Sequence, residues 1–187
     1  MGESAFPTRS PERIVVHGPS GSGKSTLARD VASALAVPYL ELDGLYHLEN
    51  WRPRERESFR AAVATFVTQP RWVVDGNYSA VRDDLWSRAD QIVVIDLPRR
   101  LVTWRVLRRT LRRGLRREVL WNGNREQLRT LLMRDPERNI VLWSWRTHAR
   151  FHSLVPRDVR RDAPHAALVV LTTRRAVSGF LSGILSN

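Results

Sequence analysis

Gly18-Pro19-Ser20-Gly21-Ser22-Gly23-Lys24-Ser25 is the stretch that decides how this chain folds. Ahead of it stands Ile14-Val15-Val16, a short β-branched run. Behind it Lys24 to Leu35 carries Leu27, Val31 and Leu35 on one helical face. A strand, a glycine-rich turn and a helix form the setting in which G-x-x-x-x-G-K-[ST] holds phosphate. The glycines let successive backbone N–H groups turn toward an anion, and the helix start adds about half a positive charge. Lys24 supplies a mobile ammonium for β and γ phosphates, and Ser25 a hydroxyl for Mg2+. Of the 31 basic residues 30 are Arg, and the single lysine sits here. A slender ammonium fits inside such a loop where a planar guanidinium would not.

Outward from the loop the alternation continues. Tyr39 to Leu42, Trp72 to Val74, Gln91 to Asp96 and Ala166 to Leu171 read as further buried strands. Helical periods separate them, among them Phe59, Val63, Phe66 and Val67, an arginine-rich segment from about Arg99, and a closing segment from about Arg175 to Leu185. Strands alternating with helices predict an α/β fold, a parallel sheet with helices on both faces. The alternation lapses only at 112–155, where helices at about Arg125 to Met133 and Asn139 to Ser153 follow one another, the pattern of a helical lid insertion. The expected organisation is a flexible tail over 1–12 and one domain over 13–187.

A chain of 187 residues with 42% hydrophobic content can bury a core of its own, and zero cysteines excludes disulfides, thiolate zinc and cysteine nucleophiles. No apolar run approaches the roughly 20 residues of a membrane span, and the short polar N-terminus lacks a signal core, so a cytoplasmic protein with no membrane partner is expected. The net charge of +12 is localised: residues 99–134 hold 12 Arg against Glu118 and Glu126, a net of +10. That segment is built to meet anions.

Ligands of open parallel sheets collect beyond the carboxyl ends of the strands, and three strands end in Asp. Asp75, after the third, is the candidate Mg2+ ligand, because such a site takes one carboxylate and completes itself with phosphate and water. Asp43, after the second, is placed to orient or deprotonate an acceptor hydroxyl. Asp96, with Pro98 behind it, has the form of a strand-to-helix cap. Tyr46, Asn77 and Tyr78 are candidate acceptor contacts, whereas His47 fits a solvated loop residue. Arg105 and Arg109 share a helix face, as do Arg146 and Arg150 on a later helix. Cations so stacked repel unless an anion arrives, and a transferring phosphoryl group is such an anion. Arginine interleaved with Trp104, Trp121, Trp143 and Trp145 also suits nucleic acid. No nucleic-acid-binding motif accompanies it, so that is the weaker reading.

With the loop, the tract Trp72 to Ser79, Asp96-Leu97-Pro98, the Arg105/Arg109 pair and the stretch Leu120 to Glu126 in place, the chain resembles the adenylate-kinase-like P-loop proteins. Within them it is similar to the bacterial topology-modulation or adenylate-kinase-related group. The resemblance implies a three-layer P-loop NTPase fold with a five-stranded sheet of order 2-3-1-4-5 and ATP with Mg2+ at Gly18 to Thr26. It also implies that Asp75 serves the Mg2+ site, that Arg105 and Arg109 meet adenine and phosphate, and that Thr172 to Arg175, Arg174 included, lies against adenine. The chain has Asp75-Gly76-Asn77-Tyr78 where adenylate kinases carry Asp-Gly-Phe-Pro-Arg, which takes away a phosphate contact for AMP. The resulting expectation is an ATP/Mg-dependent kinase acting on a small molecule or nucleotide not named by the sequence. A regulatory nucleotide switch is the alternative.

Overall fold

The computed structural model describes residues 12–136 and 139–186; the tail expected over 1–12 lies almost wholly outside them. Five strands, β1 (Arg13–His17), β2 (Tyr39–Glu41), β3 (Trp72–Asp75), β4 (Gln91–Ile95) and β5 (Ala167–Leu171), form one parallel sheet of order β2-β3-β1-β4-β5. The helices are α1 (Lys24–Leu35), α2 (Leu42–Tyr46), α3 (Arg56–Phe66), α4 (Arg82–Trp86), α5 (Arg99–Arg116), α6 (Ile140–Ala149), α7 (Val155–Asp162) and α8 (Arg174–Leu185).

Side-chain alternation along the strands divides the core in two. Ile14, Val16, Val73, Val93 and Ile95 face α1 and α8, meeting Leu27, Val31 and Phe180. Val15, Trp72, Val74, Ile92 and Val94 face α3, α4 and α7, meeting Phe59, Val63, Trp86 and Val159. β1, β3 and β4 are buried along almost their whole length, so their sequences are unbroken apolar runs. Removing the fully buried Trp72 side chain should cost about 3–5 kcal/mol. The register sets Val16 beside both Asp75 and Val93, which delivers the ends of β3 and β4 to the two sides of the loop after β1.

Several expectations are corrected. Leu42 opens α2 instead of ending a strand, so Asp43 stands in the first turn of a short helix and not in a loop. The helix expected over Arg125 to Met133 is a 3-10 segment at Leu128–Leu132. The insertion begins later than residue 112, because the arginine-rich helix runs on to Arg116. The helix expected to end at Ser153 continues: α6 widens into a π-helical turn at Arg150–Leu154 and passes into α7. Pro156 supplies the reason, since its missing N–H and its ring disrupt the α-helical bond to the preceding turn.

Candidate functional site: a phosphate loop between two carboxylates

The loop owes its shape to its glycines. Gly21 and Gly23 have φ of 85° and 96°, a region other residues rarely adopt. At Gly21 a side chain would also strike the Val102 carbonyl and the Val106 side chain of α5, which lie 2.6 Å from where its Cβ would stand. Ser22 N–H donates to Pro19 O at 3.1 Å and closes the turn. Gly23 caps α1 without any side-chain hydrogen bond, so the first amides of a 12-residue helix keep their capacity for an anion. The buried Ser22 hydroxyl has no hydrogen-bond partner. Thr26 is exposed on α1.

Lys24 is 9% exposed, and its ammonium lies 3.9 Å from Asp43 Oδ2. On the loop's other flank Ser25 Oγ donates to Asp75 Oδ2 at 2.5 Å and the Tyr39 hydroxyl to Asp75 Oδ1 at 2.9 Å. Burial pushes the Asp75 carboxyl up to about 6, against the pull of Lys24 and of these two donors. The Tyr39 phenol rises well above its ordinary range, chiefly through burial and next through Asp75.

Asp43 is held by Tyr78, whose hydroxyl donates to Asp43 Oδ1 at 2.8 Å, and His47 Nε2 lies 3.4 Å from the Tyr78 hydroxyl oxygen. His47 is therefore half-buried beside the site and not the solvated loop residue expected. Burial lowers its pKa while Asp43 opposes. Tyr46 packs on Tyr78 and Phe59 with ring centroids 4.5 and 5.3 Å away. Asn77 is committed to the loop: its Nδ2 donates to Gly18 O at 2.7 Å and its Oδ1 accepts from Gly18 N–H at 3.3 Å. Its amide fixes the loop's entrance.

From α5, Arg109 Nη2 donates to Ser20 Oγ at 3.0 Å and Arg105 Nη1 to Ser22 O at 3.3 Å. Burial draws both guanidinium pKa values down, with Arg113 adding at Arg109 and Arg174 adding at Arg105. That places Arg174, the first residue of α8, within electrostatic reach of Arg105. Arg150, on the π-helical turn, lines a cavity of about 120 Å³ with His17, Ser20, Asn77, Tyr78 and Trp143. Arg146 is exposed and takes no part in that lining.

Four further residues at the site carry no signal in the sequence. His17 is buried at the end of β1. Its Nδ1–H donates to Gly76 O at 2.7 Å, and its Nε2 accepts from Trp86 Nε1 at 2.8 Å. Ser144 Oγ donates to Ser20 O at 3.1 Å, and His148 Nε2 to Leu97 O at 2.7 Å. His152 Nδ1 lies 2.7 Å from Asp96 Oδ2. Asp96 is thus not a helix cap, for α5 has no side-chain cap, but the buried partner of a histidine on the insertion.

No group of three or more His, Cys, Asp or Glu able to hold a metal is found among the described residues. What the site offers instead is a hydroxyl and a carboxylate side by side at Ser25 and Asp75. This donor set fits Mg2+ when phosphate and water complete the octahedron.

Known proteins bear on this arrangement. Over 39 residues, 21% of this chain, it is 46% identical to the cytidylate kinases of two Nitratidesulfovibrio vulgaris strains; it spans 17% of the length of these curated relatives. Among solved structures, a gluconokinase from Sinorhizobium meliloti 1021 superposes with a TM-score of 0.51 at 20% identity, covering 96% of each chain. A shikimate kinase from Acinetobacter baumannii in complex with shikimate gives 0.56 at 17% identity, covering 95% of this chain and 92% of that one. The family model described as NACHT domain matches residues 12–178 and so takes in sheet, loop and insertion alike. The chain belongs to that NACHT domain family of P-loop NTPases, and its fold is that of the adenylate-kinase-like P-loop kinases.

Proposed function

We propose that this chain is an ATP- and Mg2+-dependent kinase that transfers a γ-phosphoryl group to a hydroxyl of a small polar acceptor. One observation carries the reading: the loop lysine stands between two differently employed carboxylates, Asp75 bonded to the Ser25 hydroxyl and Asp43 facing the ammonium at 3.9 Å. Phosphoryl transfer asks for such a division, with one flank for the metal end of the nucleotide and one for the incoming oxygen.

Gly18 to Ser25 would bind the phosphates through their amides, and Lys24 would offset charge on the terminal group. Ser25 and Asp75 would hold Mg2+, which when bound neutralises charge between phosphates. Arg105 and Arg109 would complete the cation lining from α5, with Arg150 and Arg174 at its margins. Asp43, kept in place by Tyr78, would accept a hydrogen bond from the acceptor hydroxyl and align it for attack. Buried Lys24 and the lid contacts of Ser144 and His148 would keep water away from the transfer.

A screen of phosphate acceptors with labelled ATP tests the proposal. Lys24→Ala should lower transfer by at least about 10³-fold with the fold retained. Asp43→Asn should leave MgATP affinity within about twofold and cut transfer by about 10²-fold or more. Equal loss of binding and transfer in Asp43→Asn would place that residue in nucleotide binding. Turnover indifferent to every acceptor would replace the kinase by an ATPase.

A further inference from the structure

Helix α5 divides its arginines between two sides. Arg105 and Arg109 turn inward to the loop, and Val102, Val106 and Thr110 are buried beneath the helix. The opposite side carries Trp104, Arg108, Leu111 and Leu115, spaced i, i+4, i+7 and i+11 and therefore forming one stripe. Trp104 is 60% exposed, Leu111 39% and Leu115 74%, an unusual display of large apolar groups on an outward face. Arg100 and Arg112 border the stripe. Among the described residues neither Arg100 nor Arg108 has an ion-pair or hydrogen-bond partner, and α5 contains no acidic residue. Nucleotide binding explains the inward arginines and leaves this face without a role.

We propose that the outer face of α5 docks onto an anionic lipid bilayer, with the Trp104, Leu111 and Leu115 side chains entering the interface and Arg100 and Arg108 meeting lipid phosphates, while Arg112 stays paired with Glu118 at 3.1 Å. Charge complementarity selects the occupant. A second copy of the chain would set arginine against arginine along this helix. Nucleic acid would use the arginines but gives the two exposed leucines of the stripe nothing to pack on. A bilayer surface satisfies both halves of the pattern, cations at headgroup level and apolar groups at the acyl boundary. No helix among the described residues is long and apolar enough to cross a membrane. The expectation of no membrane partner rested on that absence and does not reach peripheral docking.

Co-sedimentation of the full chain with vesicles tests the proposal without reference to any enzymatic activity. Vesicles of equal parts phosphatidylglycerol and phosphatidylcholine should bind it, and pure phosphatidylcholine vesicles should not. Binding should fall steeply as salt rises. The variant W104S/L111S/L115S should lose at least about tenfold in partitioning. Arg100→Gln and Arg108→Gln should each lose on the order of fivefold. All five positions are exposed, so thermal unfolding should be little changed, and this readout separates lost docking from lost fold. No association with acidic vesicles, undiminished association of the triple serine variant, or tighter binding to duplex DNA than to vesicles at equal phosphate would each overturn the proposal.

Discussion

His17 and Asp75 end neighbouring strands and are displaced from ordinary titration in opposite senses. His17 is locked in one tautomer, donating from Nδ1 to Gly76 O and accepting at Nε2 from Trp86. Burial is the main reason its pKa falls to about 4, with Lys24 and Arg150 adding to the fall and the Gly76 bond opposing it. Between pH 4 and 6.5 the unfolded chain binds a proton at this position and the native state does not, so acidification destabilises the fold. Asp75, raised to about 6, does the reverse: between pH 3.8 and 6 the native state holds a proton that the unfolded chain releases, so acidification stabilises. The two contributions offset each other in the wild type. In metal-free buffer, the stability of His17→Gln relative to wild type should rise on the order of 3 kcal/mol from pH 7 to pH 4, and that of Asp75→Asn should fall by a similar amount. Denaturant titrations at four or five pH values measure both, and difference curves of one sign would refute the pairing. Lys24 was legible in the sequence because a motif surrounds it. His17 was not, because its partners lie 59 and 69 residues away and only the folded sheet brings them near.

Between elements, a cluster of side-chain hydrogen bonds joins residues 121–125 of the insertion to the segment from α2 to Trp51. Asn124 is 3% exposed, donates to Leu48 O and Trp121 O, and accepts from Trp51 N–H at 2.7 Å. Asn122, at a φ of 54°, donates to Gly44 O and His47 O. Trp121 donates to Glu41 and lies so close over Gly44 that a Cβ there would meet its ring at 2.8 Å. This clasp fixes α2, and with it Asp43, from outside the loop. Asn124→Ala leaves two half-buried backbone groups, Trp51 N–H and Leu48 O, without this partner and should cost about 1–3 kcal/mol. The loss should be regional: hydrogen exchange in 44–53 and 119–126 should quicken by about tenfold or more, while β1, β3 and β4 amides keep their protection. Uniform acceleration across the sheet would show that the junction belongs to the global core. Most strands were legible to within a residue, because a doubly buried strand leaves an unbroken apolar run. The insertion was read less well. Its 3-10 turn at Trp121–Gly123 follows side-chain to backbone bonds with a segment about 75 residues away, and no periodicity records those.

For the molecule as a whole, charge is the organising quantity. The parallel sheet follows from the alternation of elements, and its order 2-3-1-4-5 from the family resemblance that the loop and its neighbouring tracts carry, so the fold was open to reading. The chain's +12 was equally visible, but its division between inward and outward faces of α5 was not, because helical spacing alone does not say which side meets the loop. Among the described residues the two inward arginines of α5 have no ion-pair partner: Arg105 bonds a backbone carbonyl and lies near Arg174, and the buried Nε of Arg109 has no partner. A bound polyphosphate relieves this repulsion, so nucleotide should stabilise the protein while Arg105 contributes little without it. At a hundredfold excess over Kd, MgATP should add about 2.7 kcal/mol and, for a chain of this size, raise Tm by about 5–11 °C. Arg105→Gln should leave the nucleotide-free Tm unchanged or slightly higher, since the lost bond to Ser22 O is offset by removal of a cation beside Arg174. At the same MgATP concentration its shift should shrink by at least half. Paired thermal scans decide the matter: a nucleotide-free variant that melts several degrees lower yet keeps the full MgATP shift would make Arg105 a brace for the loop, with no part in reading the anion.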